Sequence, residues 1–392
     1  MRSCNITFIQ SLIAYLNNSK RLEQVNFSRC GFNDESIKHL VTGLQHSSLS
    51  ELSLSNNKLE SKSLETLTLY LSKVTLESLD ISYNKFTNDS RISGFFKMLE
   101  SNFYLSKLNV SGMELGEKGG EYLVTFIGVT STLKDLNVSN TKISGKTFFK
   151  IGRLLRQHPS IIRIDLSLNS IQKGLSREEM DDALAFLSKS EILTELDISD
   201  NNFNSEFGNL LAKHLSNNKC LSTLNIAGNW LENTLLSPIW FEGLEKSSLK
   251  VLDITNCKMS KEGIRSILSS ISKNSSFAEL FIGGNTIDQS MPGLADFLSN
   301  SSVMLLDMRM MGITDDGVAV IAQSVKGSTN LKILNLEQNN ITDIGVMIVI
   351  GTIRSTSALR KISFSKNPIP NQSKMDIFEQ FSQLTNVSHM TM

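Results

Sequence analysis

The sequence predicts an α/β solenoid, a horseshoe with short parallel strands on the concave face and helices on the convex face, built from about 13 repeats. Three observations predict it. A motif recurs along nearly all of the 392 residues, the hydrophobic period changes from two to 3.6 inside each copy, and nothing in the composition punctuates the chain into separate domains. The motif is first written as Leu22-x-x-Val25-x-Phe27-x-x-Cys30-x-Phe32 and begins again at Leu49, Leu76, Leu105, Leu133, Ile161, Leu193, Leu221, Leu249, Phe277, Val303, Leu331 and Leu359. Twelve steps separate these thirteen starts. Eleven are 26 to 29 residues long, and only the step from Ile161 to Leu193, 32 residues, holds an insertion. Only 5 prolines occur, too few to separate several independently folded units.

Each copy is read in order as strand, turn and helix. Apolar residues at positions four and six, as in Leu334 and Leu336, have the period of a strand with one buried side. Position nine is Asn in eight copies and Cys in two, Cys30 and Cys257. There the chain turns out of the ladder, and a buried amide can satisfy the backbone groups that the turn frees; the two cysteines are read as structural. Ile37, Leu40, Val41 and Leu44 then follow at i, i+3, i+4 and i+7, as do Ile264, Ile267, Leu268 and Ile271, and Val318, Ile321, Ala322 and Val325. Gly119, Gly263, Gly317 and Gly345 sit at one offset just inside these helices and are read as close-packing positions. No GxxxxGK[ST] string accompanies them. Parallel strands want about 4.8 Å between neighbours and helices about 8 to 10 Å, so a stack of such units curves with its strands inside. Position five points into the hollow and is Asn, Asp or Ser in every copy but one, where it is Phe281.

A solenoid needs caps because each repeat buries its apolar faces only against neighbours. Residues 1–21 are read as an N-terminal capping helix, 22–384 as the thirteen repeats, and 385–392 as a C-terminal partial repeat or cap strand. Val387, Met390 and Met392 fall at positions one, four and six of a fourteenth copy. Both ends cut through the same motif, which favours a trimmed or incomplete chain over a finished one.

A repeat of about 28 residues with a full helix, written as Leu331-Lys-Ile-Leu-Asn-Leu-Glu-Gln-Asn-Asn-Ile-Thr-Asp-Ile-Gly345, resembles the ribonuclease-inhibitor-like class of leucine-rich repeats, over essentially the whole chain. The resemblance implies an intracellular interaction scaffold and not a catalyst. The strings Phe95-Phe96-Lys-Met-Leu-Glu-Ser-Asn, Leu196-Asp-Ile-Ser-Asp-Asn-Asn and the helix start Leu236-Ser-Pro238 make the chain most similar to the leucine-rich repeats of CARMIL-type actin regulators. That family's pleckstrin-type domain and capping-protein motif do not occur in this sequence. Two alternatives within the class are a GTPase-activating protein of the Ran activator type, whose arginine finger would correspond to Arg91, and a fragment of an immune-type sensor. Arg91 reads more simply as a solvated arginine at a helix start.

Chemistry is sparse by inventory. The 39 basic and 39 acidic residues balance, and no basic block suggests nucleic acid or an anionic membrane as partner. No run reaches the roughly 20 apolar residues of a membrane span. His39, His46, His158, His214 and His389 are dispersed, and the four cysteines have no metal spacing, so no metal, cofactor or small-molecule substrate is expected. The cysteine usage suits a reducing, cytoplasmic setting. What varies is the hollow: Phe281, Asp307, Arg309, Glu337 and Gln338, with Met304 and Met310 at the strand margins, break the Asn and Ser monotony. Together with Glu195 and Asp197 they are the expected surface for a protein partner, since aromatic, Met and Arg side chains anchor interfaces. Trp230 and Trp240 are assigned to the core.

Overall fold

The computed structural model describes residues 6–18, 22–44, 48–87, 90–231, 238–353, 358–384 and 386–392. Residues 1–5 and 19–21 of the expected N-terminal cap, residue 385, and the Leu236-Ser237 part of the expected helix start lie outside the described residues. The chain falls into two compact units, Met1–Asn201 and Asn202–Met392. Each is a run of the same strand, turn and helix.

In the first unit the strands are β1 (Gln24–Asn26), β2 (Glu51–Ser53), β3 (Ser78–Asp80), β4 (Lys107–Asn109), β5 (Asp135–Asn137), β6 (Arg163–Asp165) and β7 (Glu195–Asp197). Each pairs in parallel with the next in chain order, position for position. The second unit repeats the arrangement with β8 (Thr223–Asn225), β9 (Val251–Asp253), β10 (Glu279–Phe281), β11 (Leu305–Asp307), β12 (Ile333–Asn335), β13 (Lys361–Ser363) and β14 (His389–Thr391). The thirteen motif copies supply β1 to β13, and β14 pairs onto β13. The fold is a leucine-rich repeat solenoid of parallel strands alternating with helices.

The three helical stripes read from the sequence are buried in full, from Ile37 to Leu44, Ile264 to Ile271 and Val318 to Val325. They meet buried residues at positions four and six of the strands, such as Leu334 and Leu336. Burying each Leu or Ile side chain contributes about 1.5–3 kcal/mol, so this continuous apolar layer is the main stabilising term. The close-packing meaning of the glycine offset is clear at Gly345, whereas the atoms nearest Gly263 belong to Met259 and Ser260 of its own copy. At Gly345 an added Cβ would collide with the Asp315 carboxylate and come within 3.0 Å of Val318 Cγ1 on the preceding helix.

The Asn ladder at position nine does what the turn requires. Asn339 donates through Nδ2 to the carbonyls of Met308 at 3.0 Å and Leu336 at 3.0 Å, and its Oδ1 accepts from the Met311 and Ile313 amides at 2.9 and 3.2 Å. Asn169 ties Val138 and Leu166 to Thr141 in the same way. Cys257 is buried and its thiol donates to the Ile226 carbonyl at 3.2 Å, a partial substitute for the amide. Cys30 departs from the expectation: it is exposed. It stands in the first copy, so no earlier motif turn exists for it to bridge.

Position eight carries a constraint the sequence reading did not use. All thirteen copies hold this residue at positive φ, from Arg29, Asn56 and Tyr83 through Leu168 and Asp200 to Met310, Gln338 and Lys366. Gly and Asn tolerate this left-handed conformation, whereas a bulky side chain there is strained. Gly112, Gly228 and Gly284 and Asn56, Asn140 and Asn256 are the comfortable occupants.

The one insertion, between Ile161 and Leu193, is absorbed on the helix side. Its helix is split into Arg177–Leu184 and Phe186–Lys189. A capping box fixes the start: the Ser176 hydroxyl accepts from the Glu179 amide at 3.2 Å and the Glu179 carboxylate from the Ser176 amide at 2.8 Å.

Candidate protein-interaction surface

The polar row at position five is first a structural device. Its side-chain oxygen accepts the backbone N–H two residues on, which closes the strand: Asn109 from Ser111, Asp165 from Ser167, Asn225 from Ala227, Asp253 from Thr255, each at 2.8 to 3.0 Å. Serine at position seven adds its hydroxyl to the same acceptor, as Ser167 does on Asp165 at 2.7 Å. The Asn and Asp at position five are therefore explained by turn chemistry, while Ser53 and Ser363 bond to Asp80 and Glu337 of neighbouring copies instead. A phenylalanine cannot make this bond.

Phe281 at the end of β10 is that exception. It lies between Asp253 and Asp307 in the strand register, on a part-exposed strand face. Two residues on, Gly283 replaces the usual Ser, and the reason is steric: an added Cβ would lie 2.8 Å from Arg309 Cγ and 2.8 Å from the Arg309 carbonyl oxygen. The arginine stem thus packs against the Gly283 backbone, two residues after Phe281. Its guanidinium grips Asp307, with Nε 3.0 and 2.8 Å from the two carboxylate oxygens and Nη2 closing the fork. Asp307 also accepts the Arg309 amide at 3.0 Å and Asn335 Nδ2 at 2.9 Å. With its neighbours Asp253 and Glu337, the Asp307 bond holds the Arg309 guanidinium still more firmly protonated than usual.

Seven expected contact residues are brought together here, in different roles. Asp307 is 1% exposed, so it positions Arg309 and is not itself a contact. Arg309 keeps 43% of its side chain exposed. Met304 and Met310 are exposed, and Met310 and Gln338 both hold the strained position-eight conformation. Glu337 accepts the Ser363 hydroxyl at 2.7 Å.

Glu195 and Asp197 stand on β7 of the first unit. Glu195 joins a row of alternating charge, with Arg163 Nη1 3.3 Å away and Arg163 Nε 3.8 Å from Asp135. Asp197 accepts from the Ser199 amide and hydroxyl at 2.9 and 2.7 Å. Asp197 raises the proton affinity of neighbouring Asp165 and Asp200, in each case after the larger effect of burial.

One sequence expectation is corrected. Trp230 is 58% exposed, with Lys258 Nζ 3.7 Å above its ring, because its position in the turn faces outward; Trp240 is fully buried as expected. Arg91 stands at a helix start, in line with its simpler reading: it is the second residue of the helix Ser90–Leu99, and its Nε bonds Glu65 at 2.8 Å. Sequence reasoning also missed an apolar patch on the helix side of the second unit. Ile344, Met347 and Ile348 of helix Asp343–Ile353 are exposed, as are Met375 and Phe378 of helix Lys374–Ser382. The signal was present, since a helix apolar on every side is normally buried on every side. Among the described residues no helix is long and apolar enough to cross a membrane, and no group of three or more His, Cys, Asp or Glu could hold a metal ion.

Comparison with known proteins fits this geometry. A family model described as leucine rich repeat matches residues 72–93, 189–206, 245–268 and 327–347. Protein CARMIL of Dictyostelium discoideum is 28% identical over 249 residues, covering 61% of this chain and 23% of that protein. The NACHT, LRR and PYD domains-containing protein 3 of Bos taurus is 21% identical over 353 residues, covering 74% of this chain and 34% of that protein. The chain thus spans about a quarter to a third of the length of these relatives. Among solved structures, an internalin from Listeria monocytogenes aligns with a TM-score of 0.47 at 15% identity, over 91% of this chain and 88% of the internalin.

Proposed function

We propose that this chain, a leucine-rich repeat protein similar to Protein CARMIL, is an intracellular scaffold that binds a protein partner on the strand face of its second unit. The observation that carries the reading is Phe281. The repeat offers a working residue at position five in Asn, and Phe281 forgoes that turn bond without a gain in folding, the kind of local departure that marks a functional surface. Met310 carries left-handed strain as Tyr83 and Leu168 do in other copies, and adds an exposed thioether. The chemistry suits a protein: an aromatic anchor, two adaptable methionines, and an arginine held in place before the partner arrives. Because Arg309 is already paired, the contact draws on apolar burial and hydrogen bonds more than on net charge. The role we propose is in regulation of the actin cytoskeleton, a reading supported by the similarity to Protein CARMIL.

The test is quantitative affinity capture from cell extract with the wild-type chain and a Phe281→Asn, Met310→Asn variant. Both substitutions install residues that the repeat itself uses at these positions, so the variant folds. Two anchor residues at about 2 kcal/mol each predict a loss of several hundred-fold in affinity, hence disappearance of the specific partner, with actin-regulatory proteins among those lost. Recovery of the same proteins in the same amounts refutes the surface.

A further inference from the structure

A cleft of about 550 Å³ in the first unit lies where the helices end, and it is lined by Thr130, Arg153, Arg156, Gln157 and Lys189 among others. Its size is in the range of small-molecule sites. Arg153 and Arg156 come from the end of helix Gly145–Leu155 and the residue after it, and Lys189 ends the helix Phe186–Lys189. The ion pairs recorded for both arginines go to one carboxylate, Asp182, at 3.8 Å from Arg153 Nε and in closer contact with Arg156. Lys189 makes no ion pair among the described residues. Three cations therefore face one carboxylate and the carbonyl ends of two full helices, each worth roughly half a negative charge. About one positive charge is left unbalanced.

His158 also lines the cleft and adds no charge. Its Nδ1 accepts the amides of Ser160 and Ile161 at 3.3 and 3.1 Å, so the proton sits on Nε2, which donates to the Ile127 carbonyl at 3.0 Å. A second observation concerns Arg156: its Nε is buried and has no hydrogen-bond partner. That atom is closed to a ligand, so it is the outer nitrogens of the guanidinium, on a side chain 19% exposed, that the cleft can offer. The same side chain carries part of the unbalanced charge.

We propose that this cleft binds a phosphate monoester, with Arg153 and the exposed part of the Arg156 guanidinium donating to the phosphoryl oxygens and Lys189 supplying the remaining charge. A phosphoryl group brings about −1.5 to −2 charge and three strong acceptors, which answers the surplus of cationic donors. The monoester is a free small molecule or a phosphorylated side chain. The recess favours a protruding group over a flat bilayer. This inference is independent of the strand-face reading, because it involves none of the residues of β10 to β12.

The experiment is calorimetric titration of the full chain with O-phosphoserine, a phosphoserine peptide, the same peptide without phosphate, and phosphatidylcholine vesicles doped with a phosphatidylinositol monophosphate. The phosphopeptide should bind at least about tenfold more tightly than its unphosphorylated form, and Lys189→Gln and Arg153→Gln should each weaken it about threefold to tenfold. Equal affinity for free O-phosphoserine identifies the small-molecule source; a clear preference for the peptide identifies the side chain. Arg156→Lys keeps the charge and removes the planar fork of donors, and should weaken binding as well. The exposed Lys189 site tests the proposal even if Arg156 variants do not fold. Undetectable binding, binding indifferent to phosphate, binding only to vesicles, or affinity unchanged in Lys189→Gln and Arg153→Gln would each overturn it.

Discussion

Replacing Asn339 by Leu tests the physical basis of the fold most sharply. Both side chains have four heavy atoms branched at Cγ, so the change removes hydrogen bonds and leaves little cavity. It strands the amides of Met311 and Ile313 and the carbonyl of Met308, while the Leu336 carbonyl keeps its bond from Asn367 Nδ2 at 2.8 Å. Each buried amide left without a partner costs about 1–3 kcal/mol, and carbonyls cost less because a second lone pair can be served. The sum is about 3–5 kcal/mol, a large share of the 5–15 kcal/mol that holds an ordinary domain together. Asn339→Cys should cost less, because Cys257 shows that a thiol in this position keeps one of the bonds. Both tryptophans, Trp230 and Trp240, belong to the second unit, so tryptophan fluorescence during urea denaturation reports on the affected part. Hydrogen exchange should accelerate at the Met311 and Ile313 amides ahead of distant repeats, since coupling in a solenoid runs between neighbours. A loss below about 1 kcal/mol with both amides still protected would refute the bridging role of the Asn ladder.

Three further outcomes follow from the same geometry. Gly345→Ala pushes a methyl group into the Asp315 carboxylate, which serves the Thr342 amide and hydroxyl, and should lower stability by about 1–3 kcal/mol in a denaturation series. Asp200→Asn should stabilise the chain at neutral pH. Burial, and then Asp197, raise the Asp200 carboxyl above its ordinary value, so its favourable contribution is full below pH 3.8 and lost as pH rises through the folded-state value; the thermal gain of the variant over wild type should be present at pH 7 and absent at pH 3. Arg91→Ala removes an exposed ion pair with Glu65, should change stability by less than about 1 kcal/mol, and should leave any stimulation of GTP hydrolysis by a Ran-type GTPase unaltered in single-turnover measurements.

The repeating parts of the molecule were legible because they answer to periodicity. Positions four and six, the helical stripes and the Asn at position nine each serve one need in every copy, so the pattern states the need. The Asn, Asp and Ser row at position five was legible as residues pointing into the hollow but not as turn-formers, since a bond from position five to position seven cannot be told from solvation until the backbone is known. Positive φ at position eight was hidden by its bulky occupants: Tyr83, Leu168 and Met310 mask what Gly112 and Asn140 advertise. Among the expected contact residues, Asp307 looked like Arg309 in being an odd charge in the hollow. Only the side-chain geometry separates the buried carboxylate from the exposed guanidinium it holds. The apolar outer face of helix Asp343–Ile353 was not legible because buried Val346, Val349 and Ile350 and exposed Ile344, Met347 and Ile348 are equally apolar, so no polar stripe marks the outside.

Which side of the second unit meets a partner can be measured directly by placing a photo-cross-linking amino acid at Met310 in one chain and at Met347 in another, then irradiating each in cell extract. The strand-face account predicts a discrete cross-linked species from position 310 that disappears when Phe281→Asn is added. A partner captured from position 347 alone would assign binding to the apolar helix patch and contradict the account.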